Sequence, residues 1–197
     1  MSLVIALAKS REAVIGGDRR TIAFWGAAPR LEEELYSGQI KDDQELKKRA
    51  EELGASLQVS DGKEKVWRRG ELLVGEVTEL SAGLLRRRRI YLTPGAYLIA
   101  DIVGNMTRIN RQGGVECVVL GNQYTQRLAR SRVLMAGGRV SAALIESILK
   151  EAAESTASVS HEHIILKSDV LQADPVEALG MALQEDCQRN GWRQCRP

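Results

Sequence analysis

Ser2 is the residue whose type and position most directly suggest covalent chemistry in this 197-residue chain. It follows only Met1, and an initiator methionine is normally removed when a small residue comes next. A serine at a free N-terminus combines a nucleophile and a base, because its hydroxyl can attack while its α-amine, with a pKa of roughly 7.7–8.0, accepts the proton. A lysine and an aspartate nearby could tune that amine and orient it. Removal of Met1 would therefore leave the chain with a residue suited to acyl transfer.

Four consecutive arginines, Arg86–Arg89, form the strongest charge cluster. Three interpretations stay open: a solvated strand edge that resists aggregation, a patch for nucleic acid or an acidic partner, and a position near a substrate channel that steers acidic peptide residues. The whole chain balances 28 basic against 26 acidic residues, and only 4% of its residues are aromatic. This composition favours the strand edge and argues against a nucleic-acid-binding protein.

His161 and His163 are spaced so that both could face one side of a strand. A metal site needs further ligands, and the sequence shows none beside this pair. The chemistry available to Ser2 requires no organic cofactor. We therefore expect neither a metal nor a cofactor.

A strand predicted at the very start of the chain would hold Ser2 within the fold. Residues 3–8 form a continuous apolar run, residues 9–12 are polar and predict a turn, and residues 13–16 resume the apolar run. A third apolar segment follows at residues 21–25. The chain is thus predicted to open with a hairpin whose first strand begins next to Ser2.

Residues 28–62 differ from the strands around them and predict a helical insertion. Leu31 and Leu35 mark a short helix on an acidic segment. Asp42 followed by Glu45 forms a capping box before a second helix.

The remainder of the chain alternates predicted strands and helices. Strands are predicted at 65–68, 72–77, 89–92, 96–103, 115–120 and 163–166, and helices at 123–135, 141–153 and 175–187. Pro94 offers a further helix start. Two groups of strands with a helix pair between them indicate two sheets flanked by helices.

Length and composition are typical of a single soluble domain over residues 1–197. No segment approaches the roughly 18 consecutive apolar residues that a membrane span needs. The N-terminus lacks the pattern of a signal peptide, and the 3 cysteines show no paired metal spacing. We therefore expect a cytoplasmic protein with no membrane insertion.

The opening sequence SLVIALAKSREAVIGGDRR resembles that of proteasome β-subunits and their relatives in the N-terminal-nucleophile superfamily. In those proteins the nucleophile opens the first strand and an Asp-x-Arg element closes the second, and Ser2, Asp18 and Arg20 show the same spacing. The resemblance implies an α+β fold, the four-layer α-β-β-α sandwich of that superfamily. It also implies that Asp18 anchors the catalytic site and that Arg20 braces it.

The same resemblance implies a catalytic lysine on the next strand, opposite a glycine whose amide stabilises the oxyanion. Lys65 and Gly75 are equidistant from Gly70 in the predicted hairpin, so they are the candidates, with Lys63 as the rival lysine. The superfamily also places an acidic residue near the loop before the late strand. Here residues 155–160 contain serines and a threonine but no aspartate.

A closer resemblance covers nearly the whole chain. The segments Gly16–Arg20, Leu35–Gly38, Val74–Glu76 and Tyr91–Tyr97 are similar to those of the methanogen proteasome homologues called connectases. The resemblance implies an archaeal protein ligase that cleaves after the lysine of a Lys-Asp-Pro-Gly-Ala sequence, holds the N-terminal fragment on Ser2 and transfers it to another N-terminal amine. It also implies a monomeric enzyme, whose natural protein substrate is the A subunit of the methyltransferase of methanogenesis.

Two other functions stay open at this point. A peptidase or amidohydrolase would use the same nucleophile but transfer the acyl group to water, so that the peptide is lost as free acid without a joined product. A chain that keeps Met1 would lack the free amine, and would then be a non-catalytic binding protein on a proteasome-like scaffold.

Overall fold

The computed structural model describes residues 3–26, 28–81 and 84–194. The first elements along the chain are β1 (Leu3–Ala8), β2 (Ala13–Asp18), β3 (Thr21–Trp25), α1 (Pro29–Tyr36), α2 (Asp43–Glu52), β4 (Ser56–Ser60), β5 (Val66–Arg69) and β6 (Leu72–Ser81). They are followed by β7 (Leu84–Thr93), β8 (Ala96–Val103), β9 (Met106–Gly113), β10 (Glu116–Gly121), α3 (Gln123–Met135), α4 (Ala142–Ser155), β11 (His163–Ser168), α5 (Pro175–Asn190) and β12 (Arg193–Gln194).

Four antiparallel strands form a front sheet in the order β10-β1-β2-β11. β1 is buried at every position because both of its faces are covered. Its alternate residues divide between two cores: Val4 and Ala6 pack between the sheets, whereas Leu3 and Ile5 pack against α3 and α4. The continuous apolar run at the start of the sequence is therefore that of a strand covered on both sides.

Six strands form a back sheet in the order β12-β9-β8-β7-β6-β5. Its inner face contributes Leu73 and Ile90 to the core shared with the front sheet. Its outer face is covered by α5, through Leu179 and Leu183. The layers are thus α3 and α4, the front sheet, the back sheet and α5, which confirms the predicted α-β-β-α sandwich.

The segment predicted as a helical insertion contains α1 and α2, and it also contains β4, which was not predicted. β4 pairs with β3 in a separate two-stranded sheet. Only two of its residues, Leu57 and Val59, turn towards the cluster around Leu31 and Leu46, which is too short an alternation to recognise in the sequence. Asp42 caps α2 as predicted, accepting hydrogen bonds from two backbone N–H groups of the first turn. The reciprocal half of the predicted capping box differs, because Glu45 accepts its hydrogen bond from Lys41 N–H at 2.8 Å.

In the back sheet one prediction is wrong and one strand was missed. Pro94 does not start a helix, because Pro94 and Gly95 form the turn between β7 and β8, with Gly95 at a φ of 82° and its N–H bonded to Lys9 O. β9 was not predicted at all. Thr107 is its only fully buried residue, so its sequence carries no apolar alternation, and pairing with β8 is what makes it a strand.

Among the residues that the structure describes, no helix is both long enough and apolar enough to cross a bilayer.

Candidate active site

Asp18 ends β2 and is completely buried. Its Oδ1 accepts a hydrogen bond from Leu3 N–H at 2.8 Å, and its Oδ2 accepts one from Arg20 N–H at 2.9 Å. Lys65 Nζ donates a further bond to Oδ2 at 2.6 Å. These three donors replace the water that burial removes from the carboxylate. Asp18 therefore joins the start of β1 to a buried lysine.

Lys65 directly precedes β5, and 2% of its side chain is exposed. Burial lowers the pKa of Lys65 to about 8, although the neighbouring Asp18 carboxylate opposes that change. The amine therefore changes its charge near neutral pH, where a group can give or take a proton during catalysis.

Two consecutive glycines bring the layers close enough for this contact. A Cβ on Gly17 would lie 2.9 Å from Val66 Cγ1, and a Cβ on Gly16 would lie 2.6 Å from Ile145 Cγ2. Gly17 thus lets β5 approach the end of β2, and Gly16 lets α4 approach from the other side. The sequence signal for this close packing was the glycine pair just before Asp18.

Arg20 is nearly buried and uses its whole guanidinium on structural partners. Its Nε and Nη2 donate to Asp61 at 2.8 and 2.9 Å, and its Nη1 donates to Asp43 at 2.5 Å and to Ala157 O at 2.8 Å. These hydrogen bonds raise the pKa of Arg20, the one to Asp61 most of all. Arg20 therefore fastens α2 and the segment before Lys65 to the end of β2. No pattern in the sequence indicated that Asp61 and Asp43 would be its partners.

Lys63, the rival lysine, points away from Asp18. Its Nζ donates to Thr78 Oγ1 at 3.1 Å, and its backbone N–H donates to Arg19 O at 3.1 Å. The structure thus brings Lys65 to Asp18 and directs Lys63 to β6.

The predicted opposition of Lys65 and Gly75 is wrong by one residue. The turn consists of Gly70 and Glu71, so Val66 faces Gly75, and Glu76 N–H donates to Lys65 O at 2.8 Å. Gly75 faces the core between the sheets, where a Cβ would lie 2.7 Å from Ile15 Cδ1. The close packing of the two sheets explains a glycine at this position.

Hydrogen-bonding alternates along β6, and this decides which of its amides are engaged. Because Glu76 N–H points to β5, Gly75 N–H points to the opposite side, where Ile90 of β7 is its partner. Thr78 N–H points to the same side as Glu76 N–H, but beyond the end of β5. Within the described part of the chain it makes no hydrogen bond. Thr78 N–H is thus available to a ligand, whereas Gly75 N–H is engaged in the sheet.

Buried polar side chains also follow β10, at the same end of the front sheet. Gly121, the last residue of β10, is the cross-strand partner of Leu3. Asn122 accepts a hydrogen bond from Thr125 N–H at 2.8 Å, which caps α3, and its Nδ2 donates to Ser158 Oγ at 3.1 Å. Residues 155–160, which contain no aspartate, therefore supply the buried hydroxyl of Ser158 near the start of β1.

Ser2 lies outside the described residues. A peptide bond joins it to Leu3 N, and the hydrogen on that nitrogen is the one that Asp18 accepts. The ion pair of Asp18 and Lys65 is therefore hydrogen-bonded to Leu3, the residue that follows the predicted nucleophile.

The strand-edge interpretation of the four arginines is wrong, because β7 lies inside the back sheet between β6 and β8. Arg88 pairs with Asp101 of β8 at 2.6 Å, and Arg89 pairs with Glu76 of β6 at 2.7 Å. The pairing of β7 with both neighbours is a property of the sheet, which the local sequence did not show.

The two histidines form no metal centre with other side chains of residues 3–26, 28–81 and 84–194. His163 is the cross-strand partner of Asp18, and its Nδ1 lies 3.0 Å from His161 O.

Comparison with known proteins gives a family and a fold. The family model described as "Connectase MJ0548-like, N-terminal domain" matches residues 1–188. Among the curated proteins none matches. Among solved structures, BPH of Thiobacillus denitrificans in complex with epoxomicin is similar with a TM-score of 0.50 and 11% identity, covering 86% of this chain and 100% of that chain. The Anbu (Gly-1) mutant from Hyphomicrobium sp. strain MC1 has a TM-score of 0.47 and 8% identity, covering 96% of each chain.

At an identity of 11% the likeness to BPH concerns the fold, and it agrees with the sandwich described above. The family match spans nearly the whole chain and includes both strands that lead to Asp18. The sequence segments similar to connectases lie within the matched residues. The chain therefore belongs to the connectase family, which confirms the resemblance found in its sequence.

Proposed function

We propose that this chain is a sequence-specific protein ligase that acts through Ser2. The observation that carries the proposal is the buried Asp18 carboxylate, which binds Leu3 N–H and Lys65 Nζ together. Ser2 is bonded to Leu3, so a lysine and an aspartate stand beside the residue that would become the N-terminus. Membership of the connectase family supports the same function.

The first half of the reaction forms an ester on Ser2. The hydroxyl oxygen attacks the carbonyl carbon of the substrate lysine, and its proton passes to the free α-amine of Ser2. The tetrahedral intermediate then loses the amine of the following residue, which leaves with that proton. Lys65, held in place by Asp18, favours the negative charge that develops on the attacking and carbonyl oxygens.

Thr78 N–H is the donor that we propose for the oxyanion, because the amides of Gly75 and Glu76 are engaged in the sheet. Thr78→Pro removes this N–H and leaves the β6–β7 ladder intact, so we expect acylation to slow by about 10²- to 10³-fold. Thr78→Val keeps the N–H and should slow it far less. Equal rates for the two variants, measured by adduct formation, would exclude this donor.

The second half of the reaction joins two chains. The N-terminal amine of another chain attacks the ester carbonyl, a new amide bond forms, and the amine proton returns to Ser2 Oγ. Migration of the acyl group from Oγ to the α-amine would store the fragment as an amide that resists water. We propose that the enzyme acts as a monomer and that its protein substrate is the A subunit of the methanogen methyltransferase, as the resemblance implies.

Intact mass spectrometry of the purified protein tests this function, alone and after mixing with a peptide that contains Lys-Asp-Pro-Gly-Ala. We expect a chain without Met1, then an added mass equal to the fragment that ends in lysine. A second peptide with a free N-terminus should remove the adduct and give a joined product. Ser2→Ala is the matched control and should form no adduct.

Each other result has a distinct meaning. A retained Met1 would contradict the catalytic proposal and favour a binding protein. Free acid without an adduct or a joined product would identify a peptidase. An unchanged peptide with Met1 absent would exclude this substrate sequence.

A further inference from the structure

A cavity of about 210 Å³ opens at the end of the sandwich where β1 begins. The front sheet contributes Gly121, the cross-strand partner of Leu3. The back sheet contributes neighbouring parts of β6, β7 and β8, including Glu79, Arg86 and Asp101. The cavity is therefore adjacent to the end of β1 to which Ser2 is bonded.

Strand register places two arginines on the wall of this cavity. Ile90 of β7 packs in the core between the sheets, so Arg88 and Arg86 lie on the same inner face, at successive alternate positions. Arg87 also lines the cavity, but it occupies the intervening position on the strand, and its guanidinium lies 5.7 Å from the centre of the Trp192 ring.

Arg88 is already neutralised within the back sheet. Its Nε and Nη2 donate to the two oxygens of Asp101 at 2.6 and 3.1 Å. Asn110 donates a further hydrogen bond to the same carboxylate at 2.7 Å. The Arg88 guanidinium and the Asp101 carboxylate therefore neutralise each other.

Arg86 has no such partner among the described residues, since no carboxylate there lies within 4.0 Å of it. Its cross-strand neighbour is Glu79, whose carboxylate makes no ion pair with it within 4.0 Å and acts on several groups. It contributes to the raised pKa of Arg88, after the larger effect of the Asp101 hydrogen bond, and to the raised pKa of Glu32 and Tyr36 on α1, after the larger effect of burial. Arg86 is exposed, and so it can meet a ligand that enters the cavity.

We propose that Arg86 binds an acidic side chain of the peptide substrate, close to the bond that Ser2 cleaves. The proposal rests on the proposed function, because the cavity is assigned to the peptide by its position beside the start of β1. A guanidinium matches a carboxylate with two parallel hydrogen bonds, and partial enclosure strengthens the pair relative to bulk water. Arg86 is thus a specificity-determining residue rather than a catalytic one.

The test compares a peptide that has aspartate directly after the cleaved bond with the same peptide carrying asparagine. Binding to the Ser2→Ala protein is measured by fluorescence anisotropy, and adduct formation on the unmodified protein is measured by intact mass. We expect the aspartate peptide to be preferred by about tenfold or more, and Arg86→Gln to remove that preference. Arg11→Gln is the matched control, since Arg11 is an exposed arginine in the turn at the opposite end of β1.

Charge exchange makes the test independent of a general loss of folding. Arg86→Glu should prefer a peptide with lysine at that position, and it should bind that peptide more tightly than the unmodified chain does. An aspartate preference that survives in Arg86→Gln, or that is lost only in Arg88→Gln, would overturn the assignment. If no peptide forms an adduct but the preference still depends on Arg86, the proposed function fails and the acidic subsite stands.

Discussion

At the scale of single residues, the site depends on a charge pair that water does not reach. Asp18 is fully buried and Lys65 is 2% exposed, and the desolvation that lowers the pKa of the lysine is only partly offset by the carboxylate. Removal of either partner would leave an uncompensated group in the same place. The pair therefore holds a lysine with a lowered pKa beside the start of β1.

Lys65 should make stability depend on pH in the alkaline range. Its pKa is about 8 in the folded chain and roughly 10.4 when unfolded, so between these values the unfolded state binds more protons. The contribution of this group to the free energy of unfolding is then least favourable below pH about 8 and improves as the pH rises towards 10.4. Lys65→Met should abolish that improvement, which denaturant titrations between pH 7 and pH 10 would measure. Lys63→Met is the control, and an identical pH dependence in the two variants would contradict the buried pKa.

At the scale of elements, Arg20 connects the insertion to the end of the front sheet that carries Asp18. Its guanidinium reaches α2 through Asp43 and reaches the segment before β5 through Asp61. The insertion is therefore fastened to the loop that carries Lys65, although its own core around Leu46 is separate from the sandwich. The position of α2 is therefore tied to the segment that leads to Lys65.

Arg20→Lys should loosen that connection without unfolding the sandwich. A lysine has one nitrogen with three donors and cannot reproduce the forked contacts to Asp43 and Asp61. We therefore expect the free energy of unfolding to fall by about 1–3 kcal/mol. Hydrogen exchange measured by mass spectrometry should become faster in α2 and in residues 61–65, while α4 keeps its protection. A uniform increase over all elements would instead indicate global destabilisation.

At the scale of the whole molecule, α5 completes the fourth layer through both apolar and ionic contacts. Leu179 and Leu183 pack on the back sheet, and Asp186, which is 4% exposed, accepts hydrogen bonds from Arg89 Nη1 at 2.5 Å and from Tyr91 Oη at 2.6 Å. The arginine cluster that stands out in the sequence thus serves partly to hold a helix.

Asp186→Asn should lower the free energy of unfolding by about 1–3 kcal/mol, because it removes the buried carboxylate that Arg69, Arg89 and Tyr91 share and leaves the two arginines only Glu185 and Glu76 as counter-ions. Glu185→Gln is a matched control on the same helix, since Glu185 also pairs with Arg69 but is 57% exposed. The Glu185→Gln substitution should lower the free energy of unfolding by less than about 1 kcal/mol. Chemical denaturation of the two variants measures the difference, and equal losses would show that burial of Asp186 has no energetic role.

Much of the front sheet could be predicted from local sequence, because a strand buried on both faces appears as an uninterrupted apolar run and β1 and β2 have this pattern. The spacing from Ser2 to Asp18 and Arg20, together with the glycine pair, was enough to indicate the superfamily. Asp18 and Lys65 were therefore available as candidates from the sequence alone.

Only the tertiary structure decided how these candidates meet. The contact between Asp18 and Lys65 joins residues 47 positions apart, and the two-residue turn after β5 moved Gly75 opposite Val66. Strand pairing likewise made β9 a strand and placed β7 in the interior of its sheet, since register and neighbours depend on backbone hydrogen bonds between distant segments. Residue type and spacing thus determined which residues could do the chemistry, and sheet geometry determined which of them share a site.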